Sequence, residues 1–172
     1  MTEIAFALLD PERDLDLVRG WMREPHVARW WQLAGPTEGE PVRDYLRARQ
    51  ALGHLDCWIV SDDGSPFAYV ETYRIPDDPL AEHYDAEPGD RGFRLLVGPP
   101  QRLGHGAAQH LVVHLVTRLL DQFGITRILC APDVANTRMV ALCRSLGAEE
   151  VAALSLDGDS VLLLGWRRAP RA

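Results

Sequence analysis

The stretch that decides the fold is FRLLVGPPQRLGHGAAQHLV, residues 93–112. Phe93 to Gly98 is a short apolar run ended by Pro99 and Pro100. Neither proline has an N–H to extend a ladder, so the run is expected as a strand. From about Ala107 to Leu120, Leu111, Leu115 and Leu119 recur at a spacing of four, which predicts a helix with one apolar face, closed by Gly124. Between the two stands Leu103-Gly104-His105-Gly106-Ala107-Ala108. A strand, a glycine-bearing loop and a helix start can form an anion site: backbone N–H groups are free, the helix dipole is positive there, and glycine lets a phosphate approach the main chain. Gln101, Arg102 and His105 add side-chain donors. The spacing alone leaves two readings open, a phosphate cradle and an ordinary glycine-containing helix start.

Working outward, Ile4 to Leu9 reads as a strand, and Glu12 to Met22 as a helix with Leu15, Val18 and Met22 on one side. The segment HVARWW (His26 to Trp31) is followed by the breaker-rich LAGPTEGEP. A helical pattern then runs from Val42 to Leu52, with Val42, Leu46 and Arg49 three to four apart. Cys57 to Ser61 and Phe67 to Ile75 flank Asp-Asp-Gly-Ser-Pro and read as a hairpin. Pro76 to Asp90, rich in Pro and Asp without a sustained period, reads as a functional surface loop. Ile125 to Ala131 is the next strand and Thr137 to Leu146 a helix closed by Gly147. Glu150 to Leu156 and Val161 to Trp166 form a last hairpin turning at Asp157-Gly158. The order of elements predicts one α/β domain over residues 1–172, a mixed sheet of about seven strands flanked by about four helices.

The chain has 172 residues, 47% of them apolar, enough for a core that needs no disulfide or metal. Cys57, Cys130 and Cys143 are widely spaced in apolar surroundings and read as reduced core thiols. There is no secretory pattern and no apolar run approaching a membrane span, so a soluble, cytoplasmic protein is expected. The 18 basic residues are scattered and outnumbered by 25 acidic ones, which argues against nucleic acid as a partner. All 18 are arginine. The absence of lysine removes the P-loop lysine, the pyridoxal Schiff base and a lysine nucleophile together. His110 and His114 share the i, i+4 spacing of helix-borne metal ligands but lack the Glu of a metalloprotease helix and a third ligand, so no metal is expected.

On longer segments the chain resembles the GNAT superfamily of N-acetyltransferases. LVGPPQRLGHGAAQHLV is similar to that superfamily's strand, pyrophosphate loop and helix, and CAPDVANTRMVALCRSLGA to its next strand and helix, with Asn136 at the cofactor-facing turn. Most members carry Gln or Arg where this chain has Leu103. That departure recurs in the siderophore-type branch, whose enzymes acylate a hydroxylated lysine, ornithine or diamine and whose relatives include the aminoglycoside 6'-N-acetyltransferases. HVARWW, AYVETYR and GDRGFRLLVGPP also resemble this branch. The resemblance implies an acyl-CoA-dependent N-acyltransferase using acetyl-CoA or a longer acyl-CoA on a small-molecule amine, as a monomer or homodimer. Its cofactor residues would be Leu95, Leu96, Val97 and Gly98, whose main chain would pair with the pantetheine arm, and Arg102, Gly104, His105, Gly106, Ala107, Ala108 and Asn136.

For the chemistry, acyl transfer needs a neutral amine and a proton exit. An alkyl ammonium has a pKa of about 10.4, so it needs a base or water relay, whereas a hydroxylamine is largely neutral already. The siderophore branch commonly has His, and the aminoglycoside branch Asp, where this chain has Arg94. A guanidinium is no general base. Arg94 therefore clamps a substrate carboxylate or polarises the thioester, forms a structural ion pair with Glu71 or Asp133, or marks lost activity. Asp133, in Pro-Asp-Val-Ala-Asn, matches an Asp near the reacting amine and is the first candidate for proton acceptor or amine anchor. The other reading of Asp133 and of Asn136 is a helix cap. Strand alternation places Tyr69, Glu71 and Tyr73 on one face, and Glu71 with Tyr73 would suit an amine pocket. Trp30 and Trp31 would line it by resemblance, although adjacent tryptophans commonly divide between core and contact. Cys143 stands near a frequent tyrosine acid but is better read as a core thiol. Two other functions fit the pattern, antibiotic N-acetylation and a catalytically silent acyl-CoA-binding module.

Overall fold

In the computed structural model, residues 3–33 and 40–169 are described. Seven strands form one mixed sheet in the order β1-β2-β3-β4-β5-β7-β6. The strands are β1 (Ile4–Leu8), β2 (Leu55–Asp62), β3 (Ser65–Arg74), β4 (Asp90–Val97), β5 (Arg127–Cys130), β6 (Glu149–Leu156) and β7 (Asp159–Arg167). The described helices are α1 (Leu15–Arg23), α2 (Pro25–Ala28), α3 (Pro41–Gln50), α4 (Ala107–Leu120) and α5 (Thr137–Ser145). The one beyond the expected four is α2, a single turn begun by Pro25 inside the HVARWW region. The breaker-rich stretch 33–41 lies largely outside the described residues.

The chain divides into two compact units, residues 1–72 with 95–108 and residues 73–94 with 109–172, so that β3 and β4 each run from one unit into the other. In the first unit β1 lies antiparallel to β2, from Ile4 opposite Asp62 to Leu8 opposite Trp58. The β2–β3 hairpin turns at Asp63-Gly64, both at positive φ (46° and 77°), the pair of left-handed residues that matches strand twist in a two-residue turn. Helix α1 buries Leu15, Val18, Trp21 and Met22, and α3 buries Val42 and Leu46. Strand β3 is buried continuously from Phe67 to Thr72. It therefore lacks the half-polar alternation of a strand with a wet face. Helix α1 starts three residues later than its periodicity suggests, because residues 10–14 form a turn in which Asp10 Oδ1 accepts from the Glu12 and Arg13 amides.

In the second unit β5 pairs antiparallel with β7, and β7 with β6. The last hairpin turns at Asp157 and Gly158, again both at positive φ. The expected surface loop 76–90 is ordered by two short 3-10 turns, Ile75–Asp77 and Pro79–His83. Its Ile75 and Leu80 pack with Leu129 and Leu163 in a buried cluster. Helix α5 ends as expected at Gly147, with φ 85° and the Ala148 amide donating to Cys143 O at 3.0 Å.

The strand expected at Phe93 begins three residues earlier, at Asp90. Asp-Arg-Gly reads as polar punctuation, but Asp90, Arg91 and Gly92 form the parallel register with Arg127, Ile128 and Leu129 of β5. Asp90 and Arg127 are also a buried, two-pronged ion pair: Arg127 Nε donates to Asp90 Oδ1 at 2.7 Å and Nη2 to Oδ2 at 2.6 Å. The Tyr84 hydroxyl (2.6 Å) and the Glu87 amide (2.9 Å) donate to the same carboxylate. Burial pushes the Asp90 carboxyl up, but Arg127, Tyr84 and the Glu87 amide outweigh it and hold it below the usual carboxylate range. A carboxyl depressed in the folded state contributes stability above its unfolded value of about 3.9, and loses it as pH falls through the folded value. Asp90→Asn should therefore cost about 3 kcal/mol at neutral pH, since it leaves the buried Arg127 guanidinium with only the longer Glu87 contact at 3.5 Å as counter-charge. It should also flatten the loss of urea stability below about pH 4. Equal acid dependence in the two proteins would assign that loss to other carboxylates.

Candidate active site

In the first unit, β4 ends at Val97 and the chain passes under the indole of Trp21 at Gly98. A Cβ there would stand 2.0 Å from the Trp21 ring, so no larger residue fits without displacing α1. The Gly98 amide donates to Phe67 O at 2.9 Å, and Val97 O lies 2.9 Å from His26 Nε2. Two of the main-chain groups expected to serve the cofactor thus have partners within the protein. A 3-10 turn, Pro100–Arg102, leads into the glycine loop.

Gly104 and Gly106 have φ of 78° and 81°, and a Cβ on either would point into open space. These glycines answer to backbone conformation and not to packing. Leu103 to Gly106 are exposed, and α4 begins at Ala107 with no acidic residue in its first turn. A helix start, whose first N–H groups have no partner within the helix, with no acidic residue in its first turn and no side chains on the two preceding glycines is chemically fit for a phosphate. Arg102 is committed elsewhere in part: Nη1 donates to Asp62 Oδ2 at 2.6 Å and the guanidinium lies over the Phe67 ring, 5.5 Å from its centroid. His105 is exposed on the loop.

The first unit also holds a buried polar cluster of which sequence reasoning named Glu71, Tyr69 and Trp31 but neither Tyr45 nor the counter-charge of Arg49. Glu71 is fully buried. Its carboxylate accepts from the Tyr45 hydroxyl at 2.5 Å, the Tyr69 hydroxyl at 2.9 Å and Arg49 Nη2 at 2.8 Å. Trp31 packs edge-on to Tyr45 and Tyr69, with centroids 6.4 and 5.6 Å away. Burial first, then the Glu71 charge, pushes the Tyr69 phenol far above its ordinary value, so it remains a hydrogen-bond donor. Trp31 belongs to the core, while Trp30 is half-buried beneath Arg29, whose guanidinium lies 4.8 Å from the ring centroid. The signal for this cluster was the Tyr45, Arg49 spacing of four on α3 together with Tyr69, Glu71 on β3.

In the second unit the parallel register of β4 with β5 comprises three pairs and stops at Gly92 opposite Leu129. Phe93 and Arg94 lie beyond it. Phe93 packs against Trp166, centroid to centroid 5.9 Å, and Arg94 is exposed. Tyr73, expected in an acceptor pocket, lies against Gly92, where a Cβ would stand 2.3 Å from its ring.

The turn after β5 is tied to β7 by an isolated bridge from Asp133 to Val161 and by the Leu162 amide donating to Pro132 O at 2.9 Å. Asp133 Oδ1 accepts from the Ala135 amide at 2.7 Å, and Asn136 Oδ1 caps α5 by accepting from the Met139 amide at 3.3 Å. The capping reading thus applies to Asn136, whereas Asp133 closes a turn ahead of the helix. That turn uses one oxygen of Asp133 and leaves Oδ2 open for a further partner. On α4, His114 Nδ1 lies 2.8 Å from His110 O. That contact ties the His114 ring to the backbone of its own helix.

Comparisons with known proteins bear on the family and the fold. The chain is 26% identical over 162 residues to the lysine N-acyltransferase MbtK of Mycobacterium sp. (strain MCS), covering 94% of this chain and 66% of that protein. It is 30% identical over 139 residues to the N(6)-hydroxylysine O-acetyltransferase of Escherichia coli, covering 79% of this chain and 43% of that one. The chain therefore spans less than two thirds of either relative. The solved structure of AAC(6')-Ib with paromomycin and acetyl-CoA matches its fold with a TM-score of 0.84 at 24% identity, over 96% of this chain and 94% of that one. The acetyltransferase (GNAT) domain model matches residues 10–156, through both units, and the chain belongs to that family.

Proposed function

We propose that this chain transfers an acetyl or longer acyl group from acyl-CoA to the nitrogen of a small amine, a hydroxylated diamine or amino acid used in siderophore biosynthesis. The observation that carries the cofactor half is the exposed Gly104-His105-Gly106 loop, with two positive-φ glycines open on their Cβ sides at an α4 start free of acidic side chains. The acceptor half is supported by the relatives, a lysine N-acyltransferase, an N(6)-hydroxylysine O-acetyltransferase and an N-hydroxyputrescine acetyltransferase. One family model running through residues of both units supports a single catalytic domain.

In this reading the amides of Gly104 to Ala108 hold the pyrophosphate, with Arg102 and His105 beside it. Leu95 to Gly98 and Asn136 contribute along the arm. Bound acyl-CoA supplies the thioester carbon. Asp133 Oδ2 receives the amine proton or anchors the amine, while Oδ1 stays on the Ala135 amide and fixes the carboxylate. A hydroxylated acceptor asks little of that base, because its nitrogen is already neutral. Arg94, always protonated, takes a carboxylate or polarises the thioester. Glu71 acts indirectly: its charge is used by Arg49 and two phenols, so it shapes the aromatic wall around Trp31 and leaves amine capture to Asp133. Trp30 and Tyr73 remain candidates for the acceptor surface.

The deciding experiment is a thiol-release assay with acetyl-CoA and longer acyl-CoAs against diamines, N-hydroxy diamines, hydroxy amino acids and aminoglycosides. Turnover confined to hydroxylated amines is expected. Cofactor binding without turnover on any acceptor would instead identify a silent acyl-CoA-binding module.

Gly106→Asp, which adds a negative charge at a φ of 81°, should weaken CoA binding about tenfold or more in calorimetry. Unchanged affinity would remove the loop from the cofactor site. Asp133→Asn keeps the Ala135 contact and should lower turnover about 100-fold with CoA affinity unaltered. If turnover survives, Asp133 is a turn residue only.

A further inference from the structure

Cys130 is the last residue of β5 and Cys143 the fully buried residue of α5. Their sulfurs lie 3.6 Å apart. We propose that this pair is an oxidation site, at which a hydroperoxide joins the two thiols in a disulfide that ties β5 to α5 across the turn carrying Asp133 and Asn136.

The geometry is close to what the bond requires. A disulfide holds its sulfurs at about 2.0 Å, so closure takes up roughly 1.5 Å, within reach of side-chain rotation and a small shift of the helix. Helix α5 is free to make that shift on one flank. It borders an open groove of about 460 Å³ lined by Val134, Thr137, Val140, Ala141, Arg144 and Leu162.

The two thiols are not equivalent. Either sulfur can donate its S–H to the other; with the proton on Cys130, the contact lowers the Cys143 thiol from its ordinary value against the opposing effect of burial, and raises that of Cys130. Cys143 is thus the better nucleophile. Cys57 is different: burial pushes its thiol up to about 11 despite the Tyr69 hydroxyl 3.3 Å away. A high thiol pKa makes it a poor competitor for the oxidant.

The steps balance. Cys143 sulfur attacks one peroxide oxygen, the O–O bond breaks, and the departing oxygen leaves with the thiol proton as water or alcohol. Cys143 is then a sulfenic acid. Cys130 sulfur attacks the Cys143 sulfur, the S–O bond breaks, and hydroxide leaves with the Cys130 proton as water. Two thiols lose two electrons and one hydroperoxide gains them. The ring that closes contains the whole segment 131–142, and with it Asp133 and the α5 cap. Oxidation therefore stiffens the turn whatever reaction the protein catalyses.

The test uses the folded full chain treated with hydrogen peroxide, followed by alkylation under denaturing conditions, intact-mass measurement and peptide mapping. The expected result is a loss of two hydrogens, one alkylated thiol of the three, a cross-linked peptide joining Cys130 to Cys143, and full reversal by dithiothreitol. In Cys130→Ser the intermediate should persist, and a dimedone-type reagent should label Cys143. The proposal falls if all three thiols stay alkylatable, if oxygen adds to separate cysteines without a cross-link, or if the label in Cys130→Ser is on Cys57. Acceptor turnover is not part of this readout, so failure of the acyltransferase reading leaves it intact.

Discussion

Asp90 and Arg127 are at once neighbours in the parallel register and a buried ion pair, and the second unit depends on that coincidence. A parallel ladder of three pairs is short, with a net contribution of about 1 kcal/mol for each hydrogen bond. Breaking the ion pair would cost about 3 kcal/mol, comparable to the whole ladder. The side chains thus pin the root of β4 against β5, and Phe93 and Arg94 continue past the last pair without β5 to hold them. The same carboxylate takes the Tyr84 hydroxyl and the Glu87 amide, so the segment 76–90 is fastened by the residue that starts the strand. An element that looks like a mobile loop is a structural brace.

The glycines of the decisive stretch answer to different demands. Gly98 is a contact glycine, replaceable only by moving Trp21. Gly104 and Gly106 are conformational glycines with free space around them. Packing alone would tolerate side chains at both. Their backbone geometry and the exposed surface beside the α4 start suit the proposed phosphate cradle. Arg102 shows the opposite tendency: its length suggested a phosphate donor, yet Asp62 and the Phe67 ring hold it to the hairpin.

Legibility followed the range of the interactions. The limits of α4, the two Asp-Gly turns and the close of α5 rest on local periodicity and on left-handed residues, and all were readable. The start of β4 was not, because Asp-Arg-Gly is a strand only through a partner 37 residues away. On α3, the spacing of Val42, Leu46 and Arg49 was visible, but the purpose of Arg49 was not. It lies in Glu71 on β3, and strand alternation identified Glu71 and Tyr69 without revealing that a helix supplies their counter-charge. The Asp133 to Asn136 turn was ambiguous for a chemical reason: the same side-chain oxygens that cap a helix also receive protons or bind amides.

The absence of lysine links the structural and chemical sides. Every buried ion pair described here uses arginine, with Arg127 on Asp90 and Arg49 on Glu71. A guanidinium suits that role, since its planar fork engages a carboxylate through two N–H groups and stays charged when desolvated. The same composition bears on the proposed acyl transfer. Lysine amines are nucleophiles, whereas a guanidinium, protonated at any working pH, is not. An all-arginine chain supplies the cations its fold requires and, in the proposed reaction, would offer no side-chain amine to compete with the acceptor for the acyl group.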